Sequence, residues 1–156
     1  MPYRFDGEAG VEVLLITSRE TGRWTIPKGW PIKGFKPAKT AVREAYEEAG
    51  VRGHVSGRAL GRYVYEKRME DRVVWTGARW RGCWRDRRVP CEVQVFPLLV
   101  KVRLKKWPEC GQRKVRWFRV PEAAAVIDDG DLRKLILQLN EHRRASHRKN
   151  KNARYL

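Results

Sequence analysis

The chain has 156 residues, enough for one domain with a sizeable core, and carries 35 Lys+Arg against 18 Asp+Glu, a formal charge of +17. No apolar run reaches the ~18 residues of a membrane span, and the first residues lack the apolar region of a secretion signal, so neither a membrane protein nor an exported one is expected. Cys83, Cys91 and Cys110 are odd in number and lack C-x-x-C spacing, which predicts free thiols in a cytoplasmic protein and, with His54, His142 and His147, no recognisable zinc set.

In chain order, residues 11–17 read as a buried strand and 24–26 as a short one. Residues 37–49 are helical, with Pro37 suited to the first turn and Gly50 to the C-cap. Residues 55–67 read as extended, interrupted by Gly57 and Gly61. From 92 to 104 the pattern alternates but changes parity. Val93 and Val95 share one face, then Phe96, Leu98, Val100, Val102 and Leu104 share the other, which predicts a β-bulge near Val95-Phe96, beside Pro97. Residues 113–120 form another strand, followed by helices over 121–127 and 132–142.

Two regions stand apart from this order. Residues 71–88 read as an added hairpin, turning near Thr76-Gly77 between two look-alike pieces, Glu70-Asp71-Arg72-Val73 and Arg85-Asp86-Arg87-Arg88-Val89. Its Trp75, Trp80 and Trp84, interleaved with arginines, could stack on bases or a sugar ring, or pack the hairpin against the body or a second subunit; packing is the favoured reading. Residues 142–156 are basic with little apolar content and read as a frayed helix end or disordered arm, leaving 1–141 as the domain.

The helix over 37–49 has two chemical faces. At about 100° per residue, Glu44, Glu47 and Glu48 fall within an arc of roughly 100°, and Ala38, Val42, Ala45, Tyr46 and Ala49 form a core stripe. Such like charges destabilise an isolated helix by a few tenths of a kcal/mol per pair. A bound divalent cation reverses that sign, because hard cations take oxygen ligands. The alternative is an ordinary solvated acidic face. Arg43 falls beside Glu47 on the same wheel and could anchor it.

The spacing extends beyond the helix. Gly29, thirteen residues, then Arg43-Glu44-Ala45-Tyr46-Glu47-Glu48-Ala49-Gly50-Val51 resembles the Nudix box, G-x5-E-x7-R-E-U-x-E-E-x-G-U with U apolar. One fixed position departs: Phe35 stands where the first glutamate belongs. Arg23-Trp24-Thr25-Ile26-Pro27-Lys28-Gly29, Gly50-Val51-Arg52-Gly53 and Trp107-Pro108-Glu109 resemble segments of the diphosphoinositol polyphosphate phosphohydrolases and their bacterial relatives. So does Arg113-Lys114-Val115-Arg116-Trp117-Phe118.

The resemblance implies an α/β fold, the Nudix-type α/β/α sandwich around a mixed sheet, with the box helix on one face and a C-terminal helix on the other. It implies a phosphohydrolase that uses Mg²⁺, with Mn²⁺ as a substitute, to cleave a diphosphate linkage by water attack. By that resemblance Glu44 and Glu48 are metal ligands, joined by a backbone carbonyl of Lys28 or Gly29. Glu47 is the base or a ligand of a second metal, and Arg43 orients a glutamate. Phosphate contacts map onto Ser18, Arg19, Lys28, Arg68 and Arg113. The relatives also use basic residues before their first strand, whereas this chain opens at that strand. The expected substrate is a small, highly anionic polyphosphate, a diphosphoinositol polyphosphate or dinucleoside polyphosphate, in keeping with the positive charge. Other nucleotide diphosphates, capped RNA, or a non-catalytic domain binding nucleic acid remain alternatives, and nucleic acid is not favoured.

Overall fold

The computed structural model describes residues 1–7, 10–70 and 86–152, with side chains for 1–7, 10–67 and 88–141. Strands β1 (Pro2–Asp6), β2 (Gly10–Thr17) and β3 (Trp24–Thr25) lead to helix α1 (Pro37–Ala49). Strands β4 (Val51–Val55), β5 (Gly61–Glu70), β6 (Asp86–Val95), β7 (Leu98–Arg103) and β8 (Val115–Arg119) follow, then helices α2 (Val120–Val126) and α3 (Gly130–Asn152).

Alternation along β2 divides the core. Leu14 and Ile16 face one way and pack with Ala45 and Ala49 of α1, Val51 and Leu98. Val11, Val13 and Leu15 face the other way, among Phe118, Ala123, Leu132, Ile136 and Leu139. Each fully buried side chain of this size contributes about 1.5–3 kcal/mol. Two helical layers therefore sandwich one sheet, as the family resemblance implies.

Within that sheet, β2 has neighbours on both sides. β1 and β3 pair with it antiparallel on one side, through Tyr3↔Val13 and Ile16↔Thr25, and β8 pairs antiparallel on the other, through Val13↔Phe118 and Ile16↔Val115. β1 runs parallel to β7, and β4 pairs antiparallel with β7 at the far edge, so the sheet is mixed. β5 and β6 form a separate antiparallel ribbon from Gly61↔Val95 to Glu70↔Asp86. Its base lies on α3: a Cβ on Gly61 would stand 2.5 Å from Leu135 Cδ2.

The parity change over 92–104 has a different cause from the expected bulge. β6 ends at Val95 in the ribbon and β7 starts at Leu98 in the main sheet, so the chain changes sheets through Phe96-Pro97. The Leu60 N–H donates to Val95 O (2.7 Å) and the Ser56 N–H to Pro97 O (2.8 Å), fixing both sides of the crossing. A register shift occurs instead between Arg52 and Gly53, where β4 meets β7. The extended stretch expected over 55–67 likewise divides, with β4 ending at Val55 and β5 starting at Gly61.

At the C-terminal end, Asp129 Oδ1 caps α3 by accepting from the Asp131 and Leu132 N–H groups at 3.0 and 2.9 Å. The helix runs through Asn152, past the expected end at 142. Residues 71–85 of the expected hairpin, with Trp75, Trp80, Trp84, Cys83 and the Thr76-Gly77 turn, lie outside the described residues. Among the described residues, Cys91 and Cys110 are free thiols and no helix is long and apolar enough to cross a membrane.

Helix α1 starts at Pro37 without a side-chain cap and stops at Gly50, whose φ of 65° closes the C-terminus through bonds to Ala45 O and Tyr46 O. The ring of Trp107 lies directly on this glycine; a Cβ there would stand 2.5 Å from Trp107 Cδ2. Gly50→Ala combines left-handed strain of about 1–2 kcal/mol with that collision. Urea unfolding is expected to show at least that loss, with most of the excess recovered by trimming Trp107 to Leu in the same chain.

Candidate active site

Packing of α1 decides where its carboxylates go. Ala45 and Ala49 bury against the sheet, which turns Glu44 and Glu48 toward the loop that follows β3. An added Cβ on Gly29 would stand 2.1 Å from Glu44 Oε1, so only glycine lets the backbone lie against this carboxylate. One turn further on, Glu48 Oε2 accepts from the Lys28 N–H at 2.9 Å. Its other oxygen receives Arg113 Nη2.

Arg113 is the hub of this arrangement. Its Nε donates to Glu109 Oε2 at 2.7 Å, its Nη1 to the Thr17 carbonyl at 3.3 Å, and its Nη2 to Glu48. Arg113 and Glu48 side chains are each 8% exposed. The backbone N–H of Glu109 in turn donates to the Glu47 carbonyl at 3.0 Å, one of the carbonyls that the end of α1 leaves without a helical partner. One guanidinium therefore ties the helix end, the end of β2 and the loop before β8.

Electrostatics separates the three helix carboxylates. Burial raises the Glu48 carboxyl above the ordinary range, opposed by the Lys28 N–H and the Arg113 charge. Burial also raises Glu44, reinforced by Glu48, Glu47 and Glu109. Among the described residues, Arg43 is the one cation whose charge opposes this rise. Because the folded protein holds these two protons more tightly than the unfolded chain, both groups add stability as pH falls through their raised range and withdraw it toward neutrality. Glu47 diverges from the pair: its Oε1 accepts from Arg43 Nε at 2.7 Å, the i,i+4 contact the wheel suggests, and it is 32% exposed.

A cationic patch adjoins Glu48 through Lys28. Lys28 Nζ lies 4.8 Å from the centroid of the Tyr65 ring of β5, and Lys67 Nζ lies 5.0 Å over Trp30, itself 57% exposed. Burial lowers the Lys28 ammonium from its ordinary value, with Glu48 opposing and Arg113 and Lys67 reinforcing. Arg19 reaches the same end of the sheet, with Nη1 3.8 Å from Glu109 Oε1 and 3.3 Å from Gln112 Oε1.

The residues expected to contact phosphate separate accordingly. Lys28 and Arg19 sit at the site. Arg113 does not present a free guanidinium to a ligand, because its buried position commits every nitrogen to protein oxygens; it positions Glu48 instead. Ser18 closes a turn, its Oγ accepting from the Thr21 N–H at 3.2 Å and pairing with Thr21 Oγ1. The side chain of Arg68 lies outside the described residues. Phe35 is 44% exposed, on the side of α1 that carries Lys39 and Arg43. Glu109, Tyr65, Lys67 and Trp30 are site residues that the sequence did not single out by role. For Glu109 the signal is its place four residues before Arg113, a spacing usually read only on helices.

Among the described residues, no three His, Cys, Asp or Glu side chains form a group able to hold a metal by themselves. Glu44 and Glu48 nevertheless fit a hard divalent cation. Mg²⁺ is commonly held by one or two carboxylates plus substrate phosphates and water, not by an all-protein cage. The exposed backbone at Gly29 and the mutual repulsion at Glu44 agree with that donor chemistry.

Comparison with known proteins matches residues 2–139 to the NUDIX domain family model. The chain belongs to the Nudix family. It is 36% identical over 126 residues to mouse diphosphoinositol polyphosphate phosphohydrolase 3-alpha, covering 79% of this chain and 64% of the relative. It is 29% identical over 140 residues to Nudix hydrolase 21, chloroplastic, of Arabidopsis thaliana, covering 87% and 61%. This Nudix chain thus spans a little over three-fifths of the length of these relatives. A C. elegans Ap4A hydrolase in a binary complex shares the fold, with a TM-score of 0.61, 16% identity, and coverage of 92% of this chain and 93% of that one.

Removing Arg113 tests its positioning role. Arg113→Met leaves Glu48 buried without its cation and is expected to cost about 3–5 kcal/mol in denaturant unfolding. Adding Glu48→Gln to that variant should restore part of the loss, since the uncompensated charge is then gone.

Proposed function

We propose that this chain is a Mg²⁺-dependent Nudix phosphohydrolase, located in the cytoplasm, that cleaves a phosphoanhydride bond in a compact, highly anionic substrate. A diphosphoinositol polyphosphate or a dinucleoside polyphosphate is the class that fits. The observation that carries the reading is Glu44 against the Gly29 backbone and Glu48 on the Lys28 N–H, with the Lys28 ammonium acting on Glu48 and the Lys67 ammonium on Lys28. Carboxylates to hold a cation and ammonium groups to hold phosphates occupy one site in a chain of +17 charge. The similarity to a diphosphoinositol polyphosphate phosphohydrolase supports the same choice.

Phosphoryl transfer needs positioning and charge neutralisation more than covalent chemistry. A divalent ion, when bound, supplies Lewis acidity and screens phosphate charge. Glu44 and Glu48 are the residues to hold it, together with a backbone carbonyl of the Lys28-Gly29 turn. Lys28, Lys67 and Arg19 hold the polyphosphate. Glu47, with one oxygen fixed by Arg43 and its side chain open to solvent, is oriented to accept the proton of the attacking water. The water oxygen bonds to phosphorus as the bond to the bridging oxygen breaks, and the departing phosphate takes that electron pair.

The decisive assay pairs the intact chain with Mg²⁺ or Mn²⁺ and a panel of inositol pyrophosphates, diadenosine polyphosphates, nucleotide sugars and capped RNA. Turnover of an inositol pyrophosphate or dinucleoside polyphosphate is expected, and absence of turnover across the panel overturns the reading. Glu44→Gln, which breaks no protein ion pair, should lower kcat by more than the about 10–100-fold typical of partners behind the ligands. The sign of the pH dependence also follows. Glu44 and Glu48 ionise above the ordinary carboxylate range, so cation affinity and rate should fall with decreasing pH before free carboxylates titrate, and Glu44→Gln should remove part of that dependence from cation binding measured by calorimetry.

A further inference from the structure

The side of α1 turned away from Glu44 carries a feature that phosphoanhydride hydrolysis does not use. An open groove of about 510 Å³ lies between α1 and the edge strand β4, lined by Phe35, Lys39, Val42, Arg43, Tyr46 and Arg52, with Gly53 at its floor. Two aromatic rings, three cations and one aliphatic side chain make up this surface. Phe35 is exposed, where the Nudix box calls for a glutamate.

Local structure makes the groove. The register of β4 against β7 shifts between Arg52 and Gly53, where Arg52↔Val102 is followed by Gly53↔Val100 and Lys101 is passed over. Such an irregularity re-aims a side chain. Here Arg52 is brought to α1, its Cζ 4.9 Å from the centroid of Tyr46. Gly53 cannot take a Cβ, which would stand 1.9 Å from Leu99 O, so this position stays without a side chain.

Charge indicates what the groove holds. Of the three lining cations, Arg43 pairs with Glu47, whereas Lys39 and Arg52 have no carboxylate partner among the described residues. Exposed Lys33 and Lys36 flank Phe35 on the loop leading into α1. A row of unneutralised cations interleaved with exposed rings suits a ligand with both a π-face and a phosphate at short repeats. A purely apolar partner leaves the cations without counter-charge, and a base-free polyanion leaves Phe35 and Tyr46 without a use. Base stacking on aromatic side chains beside a positive track is the general means of holding single strands.

We propose that this groove is a binding site for single-stranded nucleic acid, in which a base stacks on Phe35 while Lys39 and Arg52 take the neighbouring phosphates. The site lies across Arg43 from the carboxylate pair and is independent of the hydrolytic reading, because it needs neither metal nor turnover.

The test is fluorescence anisotropy of a labelled short oligouridylate with the whole chain in EDTA, so that hydrolysis plays no part. Phe35→Ala, which changes no charge at an exposed position, should weaken binding about tenfold, and Phe35→Trp should retain it. Arg52→Glu should weaken it further and flatten the salt dependence. Lys134→Glu makes the same charge change on α3, behind the opposite face of the sheet, and should have a small effect. Equal loss in Lys134→Glu and Arg52→Glu, or tight binding unmoved by Phe35→Ala, reduces the interaction to net charge and overturns the proposal. So does an abasic oligomer binding as well as oligouridylate, or uridine monophosphate binding as tightly as the oligomer. Sedimentation in which Phe35→Ala converts a dimer to a monomer would assign the groove to a second copy and overturn it equally.

Discussion

A single buried guanidinium holds the site together. Arg113 reaches the loop at Glu109, the end of β2 at Thr17 and the helix at Glu48, and those contacts fix the last turn of α1 against the sheet. Burying a charge is costly unless it is paired and hydrogen-bonded, and here all three nitrogens are matched. The result is asymmetric. Glu48 is locked between Arg113 and the Lys28 N–H, while Glu44, one turn earlier, lies against the Gly29 backbone with other carboxylates raising it. A rigid carboxylate next to an under-compensated one is a sound way to pre-organise a cation site, since little rearrangement is left for the moment of binding.

The same asymmetry sits in an unusual charge context. The chain is strongly basic, yet four of its 18 acidic residues, Glu44, Glu47, Glu48 and Glu109, meet at α1, where the other three reinforce the raised proton affinity of Glu44. A positive field of this size draws anions toward the molecule, and the local negative cluster repels them at close range. Lys28 and Lys67 each hold their ammonium over an aromatic ring, which attracts the charge without neutralising it. Attraction at long range and selection at short range are thus carried by different residues.

How much of this could be read beforehand depends on the range of the signal. The two faces of α1, its Pro37 start and its Gly50 end were legible, because a helix writes its surroundings into a period of 3.6 residues. β2 was legible as a buried strand from its apolar run, but not which of its side chains enter which core. Strand β1 does not stand out, with only Tyr3 and Phe5 alternating among charged neighbours, and β4 is interrupted by Gly53. Arg113 was legible as important but not in its role. Nothing in local spacing tells which of 35 basic residues is buried against a carboxylate 65 positions away. The parity change near Phe96 was correctly located yet has a topological cause, which a one-dimensional pattern does not distinguish from a bulge.

That change of sheet has a consequence for how the molecule can vary. The β5–β6 ribbon is stitched to the body at its foot, where Leu60 and Ser56 grip the chain on either side of Phe96. Its pairing then proceeds outward without any hydrogen-bonded partner in the main sheet. Lengthening or shortening its far end leaves the alignment of β7 with β1 and β4 untouched. The arm that carries Tyr65 and Lys67 can therefore change in length while the main sheet and α1 stay as they are.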